Sequence, residues 1–361
     1  MLLASLLGWV SPGRANAAGA PEGLSEEARW LSQRWAPTFA QEISSRRPEQ
    51  DRPLRVDFDG DWDATNNWQH LTPAAASKRP AVYGSAVLTE THAFLTYTLF
   101  FPRDWAAPLC LPYVCHDNDL ESILVVAERG VSGALVLVET KAHRSYHVRS
   151  PTELVREADG RPLLRVESQG HGIYPVSDPR ELDGLSLAHW VPPRGEPTQR
   201  ARPERYELLD LHSTLWAHRG ARAQDGQLWS PGDTGFLAYD GARLGRLGGL
   251  LGASMATHHY PGGVRPPWAL EAAAGERGDW FLDPAFVAVS QYAPRFGRAG
   301  TPASTRYVFH PYLADLRQEC VAAVCPPSPP SPPSLASRLG ITGALVVLLG
   351  IVSSRFRRPK A

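Results

Sequence analysis

The sequence predicts a mainly β protein, a single β-sandwich-like domain with an N-terminal helix and long loops. Among its 361 residues, 33 are Pro and 31 are Gly, which favours many turns between short strands. Hydrophobic residues make up 43% of the chain and include 11 Trp, enough to form a buried core. From residue 81 onward, hydrophobic positions recur with a period of two, as expected for β-strands.

One helix is predicted before the strands, within residues 24–40. Ser25 is a suitable N-cap, and two glutamates follow it in the first turn. Trp30, Leu31 and Trp35 then recur at helical spacing, and Pro37 marks the end of the helix.

Short segments rich in Val, Leu, Thr, Tyr and Phe are the predicted strands, and clusters of Gly, Pro and Asp separate them. They cover residues 81–90, 93–101, 122–128, 134–140 and 163–168. Two glycines within residues 128–133 predict a hairpin loop. The Pro- and charge-rich residues 178–203 are predicted to form a long surface excursion, and the folded domain is predicted to span residues 24–318.

The two ends of the chain predict export and attachment to the cell envelope. Residues 1–17 have the apolar run and the small-x-small site of a signal peptide, although a buried N-terminal helix is the alternative. Residues 319–338 form a Cys/Pro/Ser-rich linker. Residues 339–361 combine an apolar run with a basic tail, which indicates a membrane anchor or a sorting signal that is cut.

Charge and cysteine content narrow the class of protein. Lys and Arg total 37 and Asp and Glu total 37, so the basic excess of a nucleic-acid-binding protein is missing. The cysteines fall into two close pairs, Cys110 with Cys115 and Cys320 with Cys325. In an exported protein such pairs predict local disulfides, and neither has the spacing of a zinc ribbon or a thioredoxin motif.

The clearest candidate for a functional site is the segment that begins at His116. Asp119 and Glu121 lie two residues apart at the start of a predicted strand, so their carboxylates share one face, with His116 on the preceding loop. Buried carboxylates are costly unless a cation neutralises them. A divalent cation is therefore predicted, and oxygen ligands favour Ca²⁺ or Mg²⁺ over Zn²⁺. A solvated acidic loop is the alternative.

This region resembles the necrosis- and ethylene-inducing peptide-like proteins. Residues 102–104, Pro-Arg-Asp, correspond to the family's Pro-Lys-Asp, and residues 116–121, His-Asp-Asn-Asp-Leu-Glu, correspond to its His-Arg-His-Asp-Trp-Glu. Three positions depart from the pattern: Cys115 replaces a Gly, Asn118 a His and Leu120 a Trp. The resemblance covers roughly residues 81–175 and implies that the metal ligands are Asp104, His116, Asp119 and Glu121.

The family fold is a β-sandwich with a cation at the base of a surface pocket, and its plant-toxic members bind glycosylated sphingolipid headgroups. The resemblance therefore implies a glycan or a polar lipid headgroup as the ligand of this chain. Residues 167–175 also resemble broader relatives of this group, including vacuolar-protein-sorting-like proteins. This places His171 near the pocket as a base, a polar contact or a further ligand, and a hydrogen-bonded loop histidine is the alternative. His143 and His147 have the spacing of ligands on a helix but lie too far apart on a strand to share one ion.

A second candidate metal site is an alternating run of aspartates. Asp57, Asp59, Asp61 and Asp63 predict a calcium-binding loop, but the glycine position and Trp68 do not fit the EF-hand pattern. The alternative is an Asp-rich turn under which Trp62 and Trp68 pack.

Motifs of nucleophilic hydrolases, phosphate-binding loops and HExxH metalloproteases do not occur in the sequence. Three hypotheses remain. The protein is a metal-dependent binding module for a glycan or lipid headgroup, a metal-dependent hydrolase with His171 as general base, or a structural surface protein stabilised by its metal.

Overall fold

A computed structural model describes most of the chain between residues 22 and 312. The described residues are 22–60, 62, 67–105, 115–130, 133–143, 145–194, 203–218, 222–223, 226–227, 279–282, 284–285, 287–288, 292 and 303–312. The chain divides into two units, Met1–Asp315 and Leu316–Ala361, and every described residue belongs to the first unit. For Trp105, Trp68 and residues 115–117 the backbone is described and the side chain is not.

The predicted N-terminal helix is present as α1, Glu22–Trp35. It buries Ala28, Leu31 and Trp35 against the sheet, at exposures of 4% or less. The Trp35 indole Nε1 donates a hydrogen bond to the Gly133 carbonyl at 2.8 Å, which ties the helix end to the hairpin loop.

Fourteen β-strands are present among the described residues. They are β1 Thr38–Glu42, β2 Ala81–Thr89, β3 His92–Trp105, β4 Cys115–Glu128, β5 Leu135–Ala142, β6 Ser145–Arg149, β7 Leu163–Val166, β8 Ile173–Pro175, β9 Leu187–Val191, β10 Pro203–Arg205, β11 Glu207–Asp210, β12 Arg222–Ala223, β13 Gly226–Gln227 and β14 Tyr307–Phe309. Short helices are α2 Asn67–His70, α3 Pro73–Ala76 and α4 Asp279–Leu282, and 3₁₀ turns are Pro48–Asp51, Pro151–Glu153, Pro179–Leu182 and Trp216–His218.

The strands form two main sheets. The larger sheet has the order β11-β2-β3-β4-β5-β6, with β14 also paired to β2. The smaller sheet has the order β10-β9-β1-β7-β8, in which β1 runs parallel to β7 and antiparallel to β9. A separate two-stranded hairpin joins β12 and β13.

The hydrophobic core lies between the two sheets. It includes Leu95, Leu99, Phe101, Ile123 and Val125 from the larger sheet and Phe39, Leu164, Val166, Ile173 and Trp190 from the smaller one. This arrangement confirms the predicted mainly β, sandwich-like class.

The hairpin of β3 and β4 carries most of the predicted site. It is longer than its predicted strands, because the pairing continues until Trp105 lies opposite Cys115. His116 therefore lies within β4, and its predicted position on a loop is wrong. The additional pairs form between polar segments, whose composition carries no strand signal.

The predicted surface excursion over residues 178–203 is also wrong in part. Residues 187–191 form β9, which pairs with β1 and buries Trp190 at 4% exposure. Flanking prolines and charges obscure this short strand in the sequence, and only its pairing with distant β1 reveals it. The predicted hairpin loop is confirmed between β4 and β5, where Gly130 and Gly133 have φ angles of 96° and 48°.

Several predicted features lie outside the described residues. They are the signal peptide at 1–17, the linker at 319–338, the anchor at 339–361 and the cysteines Cys110, Cys320 and Cys325. Among the helices that the structure describes, none has both the length and the apolar character needed to cross a membrane.

Candidate functional site

The candidate site lies at one end of the sandwich, where the β3–β4 hairpin meets the loop between β7 and β8. Asp119, Glu121 and the core residues Ile123 and Val125 follow one another at every second position of β4. All four therefore occupy one face of the strand. Asp119 is 4% exposed and Glu121 is 8% exposed. The two carboxylates therefore extend the apolar face of the core with negative charge.

His171 closes this end of the core from the opposite sheet. Its side chain is fully buried, and its ring stacks on Phe101 at 3.7 Å between centroids and an interplanar angle of 5°. The ring Nδ1 lies 2.9 Å from Asp119 Oδ2, and Nε2 lies 3.5 Å from Asp51 Oδ1. Two carboxylates thus flank one imidazole.

Asp51 is a site residue that the sequence analysis missed. Its Oδ2 accepts a hydrogen bond from the Ser44 backbone N at 2.5 Å, and its Oδ1 accepts one from the Gln169 backbone N at 2.6 Å. These bonds hold the loop in which Gln169 and His171 adopt left-handed φ angles of 71° and 53°. Asp51 lies on a 3₁₀ turn distant in sequence from His171, and no local pattern marks it.

The charge state of His171 follows from these contacts. Burial lowers the pKa of His171, but hydrogen bonds to Asp119 and Asp51 outweigh burial and raise it to about 10. The imidazole is therefore protonated at neutral pH, and both N–H groups face carboxylates. A protonated ring has no lone pair for a metal or a substrate proton, so the geometry favours a role as an internal counter-ion.

A second histidine–carboxylate pair lies beside the first. His143 Nε2 forms an ion pair with Glu167 Oε1, and the two side chains are 48% and 22% exposed. Glu167 also accepts hydrogen bonds from the Gly172 backbone N at 3.3 Å and from the Tyr174 hydroxyl at 3.2 Å. The hydrogen bond to Glu167 raises the pKa of His143 against the opposing effect of burial, and the charges of Asp104 and Asp119 add to the rise. The contact with Glu167 therefore favours the protonated form of His143.

Asp104 and His116 lie directly opposite each other in the β3–β4 register. The Asp104 side chain is 8% exposed, whereas the His116 side chain is outside the described part of the structure. Within the described part, no group of three His, Cys, Asp or Glu side chains has metal-ligand geometry. The predicted set of Asp104, His116, Asp119 and Glu121 stays a prediction.

Asn118, one of the departures from the family pattern, has a structural explanation. Its backbone adopts a left-handed φ of 61°, which Asn tolerates better than most residues. Its side-chain Oδ1 accepts a hydrogen bond from Asn67 Nδ2 at 2.9 Å, and the side chain is 4% exposed. Asn118 thus joins α2 to the start of β4.

The second predicted metal loop is described only in part, because Asp61 and Asp63 lie outside the described residues. Asp57 pairs with Arg55 at 2.9 Å, and Asp59 pairs with His70 Nδ1 at 2.5 Å. Arg55 and His70 thus already contact both described carboxylates, which supports the Asp-rich turn. Trp62 stacks on His218 at 3.8 Å. The calcium loop itself stays a prediction.

No protein-family model and no curated protein matches the chain, whereas several solved structures are similar to it. A solved toxin fold for microbial attack and plant defence is 16% identical, covers 62% of this chain and 88% of its own, and has a TM-score of 0.33. A mannosamine complex of NLPPya is 15% identical over 61% of this chain and 88% of its own, with a TM-score of 0.33.

Necrosis and Ethylene inducing Protein 2, from the causal agent of cocoa's Witches Broom disease, is 14% identical over 41% of this chain and 68% of its own, with a TM-score of 0.29. Scores of this size carry no inference about ligand or activity. One of these similar structures carries the name of the family that residues 102–121 resemble.

Proposed function

We propose that this protein binds a divalent cation through Asp104, His116, Asp119 and Glu121 and uses it to hold a hydroxyl-rich ligand, a glycan or a polar lipid headgroup. The observation that carries the proposal is the burial of three carboxylates at one end of the sandwich, at exposures of 8% or less. Burying a carboxylate is costly unless it is paired, and a divalent cation would reduce this cost for all three.

The neighbouring cations are largely matched by other carboxylates. His171 is shared with Asp51, and His143 is paired with Glu167. Arg103, fully buried on β3, is a third cation of the region. Asp104, Asp119 and Glu121 thus bring three further carboxylates to the same region, and this supply of oxygen ligands supports the binding of a divalent ion.

The predicted ligands are of the types that a hard cation prefers, although the described side chains include no group of three with metal-ligand geometry. Three carboxylates supply oxygen ligands, which suits Ca²⁺ or Mg²⁺, whereas Zn²⁺ prefers more His or Cys. When bound, the ion would supply open coordination positions for ligand hydroxyls. The buried His171 would keep Asp119 oriented through its 2.9 Å contact with Oδ2.

A metal-dependent hydrolase with His171 as general base is less well supported. The fully buried imidazolium lies between two carboxylates and against Phe101, where substrate has no access to it. A structural role for the metal remains the competing hypothesis, and it differs from binding in one outcome: metal would raise the melting temperature and no ligand would bind.

Calorimetric titration with Ca²⁺ and Mg²⁺ tests the cation site. Asp104→Asn and Glu121→Gln keep side-chain shape and remove one charge each, so each should weaken metal binding by about tenfold or more. Asp178→Asn is the matched control, because Asp178 pairs with Arg180 at an exposed 3₁₀ turn outside both predicted metal sites and should leave that affinity unchanged. Equal metal affinity in all four proteins would overturn the assignment.

Sugar binding tests the second half of the proposal. Glucosamine and mannosamine, present in complexes of similar structures, are suitable probes together with glucose and mannose. Binding should require Ca²⁺ or Mg²⁺ and disappear in EDTA. Sugar binding that persists in EDTA, or its absence from the metal-loaded protein, would favour the other hypotheses.

Export and envelope attachment form a separate part of the proposal, supported by residues 1–17 and 339–361. Fractionation of cells that express the full chain should place it in the envelope. A variant truncated before residue 339 should be released, and an unchanged distribution would count against the anchor.

A further inference from the structure

We propose that the cleft between α1 and the edge of the larger sheet binds a small zwitterion, in which a short carbon chain joins a phosphate to an ammonium group. The cleft has a volume of about 260 Å³, and Asp104, Asp119 and Glu121 do not line it. Drug-sized ligands occupy pockets of about 300–1,000 Å³, so this cleft suits a smaller molecule. The proposal is independent of the metal site.

The cleft exists because small residues lie beneath the helix. Gly84 and Ala86 occupy alternate positions of β2 and form the floor, and side chains longer than a methyl group at these positions would fill it. A Cβ at Gly84 would lie 3.0 Å from Leu208 Cδ1 and 3.2 Å from Ser32 Oγ. The Tyr97 hydroxyl donates a hydrogen bond to the Ser32 carbonyl at 2.7 Å, which fixes the helix above the sheet.

The helix wall of the cleft supplies hydrogen-bond donors. Arg29 and Gln33 lie four residues apart on α1, so their side chains share one helix face, and Ser25 and Ser32 line the same wall. Within the described part of the chain, Arg29 forms no hydrogen bond or ion pair. A guanidinium that no carboxylate neutralises, together with amide and hydroxyl donors, suits the several oxygens of a phosphate.

The opposite wall supplies a carboxylate from Asp210, the last residue of β11, which pairs with Gly84 in the sheet. Its Oδ1 accepts a hydrogen bond from the His212 backbone N at 3.4 Å, and its Oδ2 accepts one from the Ser213 backbone N at 3.1 Å. Both donors are neutral amides, and Asp210 has no ion-pair partner among the described residues. This carboxylate is therefore fixed in place and can attract an ammonium group.

The two walls thus carry opposite charges that do not pair with each other. Arg29 and Asp210 line one cleft, yet no ion pair joins them. A ligand with a single charge would contact only one wall, whereas a zwitterion with separated charges would contact both. Ala28, Leu208 and Phe309 provide apolar lining for the carbon chain between the charges. Phosphoethanolamine has this chemistry, both as a free phosphate monoester and as the phosphodiester of a lipid headgroup.

Calorimetric titration of the full chain in EDTA tests the proposal with phosphoethanolamine and with ethyl phosphate, which lacks the ammonium group. Wild type should bind phosphoethanolamine about fivefold more tightly, because only this ligand can pair with Asp210. Arg29→Gln should weaken the binding of both ligands by about tenfold. Asp210→Asn should abolish the preference and leave the affinity for ethyl phosphate unchanged, since Asn also stabilises such a turn.

Arg34→Gln is the matched control. It removes the same charge from the same helix, but Arg34 lies over the Trp35 ring and does not line the cleft, so neither affinity should change. Glycerophosphoethanolamine distinguishes the two sources of the ligand. Tighter binding of this diester than of phosphoethanolamine would support a lipid headgroup as the ligand, and the reverse order would support a free phosphate monoester.

Three results would overturn the proposal: no binding of either ethanolamine compound to wild type, equal wild-type affinities for phosphoethanolamine and ethyl phosphate, or an equal loss of affinity in Arg34→Gln and Arg29→Gln. EDTA removes divalent ions, so each of these results leaves the proposed metal site untouched. Conversely, wild type that binds phosphoethanolamine in EDTA but fails to bind Ca²⁺ or Mg²⁺ would overturn the proposed function alone.

Discussion

Two histidines at the same end of the sandwich show how burial changes the role of an ion pair. His171 and His143 both have left-handed φ angles, 53° and 52°, and both contact carboxylates. The side chain of His171 is fully buried, whereas that of His143 is 48% exposed. The comparison shows that the same two chemical groups form a buried pair in one case and a half-exposed pair in the other.

The physical difference is the cost of breaking each pair. Without its imidazolium, the His171 site would leave the buried Asp51 and Asp119 with one counter-charge fewer, and the loss of one partner of a buried ion pair is strongly destabilising. At the His143 site, water and salt can replace the lost partner, so the pair contributes little to stability. Four measurements test this contrast, from the largest expected effect to the smallest.

The largest effect is expected for His171→Ala. Loss of the imidazolium should lower the free energy of unfolding by about 3–5 kcal/mol, because two buried carboxylates lose their counter-ion and Phe101 loses its stacking partner. Urea denaturation gives the value. A loss below about 1 kcal/mol would mean that the contacts of His171 with Asp51 and Asp119 do not stabilise the fold.

Raising the pH should remove part of the same contribution in the wild-type protein. The pKa of His171 is about 10 in the folded state, above the ordinary value of about 6.5 that applies when unfolded. The stabilisation is therefore fully present below pH 6.5 and is lost as pH rises through 10. Between pH 7 and 10 the difference in unfolding free energy between wild type and His171→Ala should shrink by about 3–4 kcal/mol. A constant difference across this range would contradict the ion-pair assignment.

Gly172→Ala should lower the free energy of unfolding, because Gly172 lies between the loop that carries His171 and the carboxylate that contacts His143. The added Cβ would lie 2.9 Å from Glu167 Oε1 and 3.2 Å from the Ala142 Cα. Relief of these contacts should cost about 1–3 kcal/mol of unfolding free energy. In a Glu167→Ala background the cost should fall, because the carboxylate is absent. An equal loss of unfolding free energy in both backgrounds would mean that the contact with Ala142 alone causes the loss.

The smallest effect is expected for His143→Ala, which should lower the unfolding free energy by less than about 1 kcal/mol. The pair is half-exposed, so solvent replaces much of the interaction with Glu167. Raising the salt concentration should reduce even this small difference. A loss comparable to that of His171→Ala would mean that exposure does not separate the two roles.

The same contrast shows which parts of the site could be predicted. The shared face of Asp119 and Glu121 follows from the alternation of side chains along a strand, and β4 has this alternation. The link between His171 and Asp51 joins two loops far apart in sequence, and no local pattern indicates it. The spacing of His143 and His147 suggests only a metal-ligand pattern. The structure instead places His143 in the two-residue loop of the β5–β6 hairpin, at a position usual for Asn or Gly.

Local periodicity and turn composition thus determined the β class, the N-terminal helix, the glycine hairpin between β4 and β5, and the acidic face of β4. These features depend on interactions between residues close in sequence, which a single chain displays directly. The tertiary structure decided that β9 inserts beside β1, that Asp51 meets His171, and that one histidine is buried while the other faces solvent. Partner, burial and charge state depend on how the two sheets pack, because desolvation and ion pairing are properties of the assembled core and not of any segment within it.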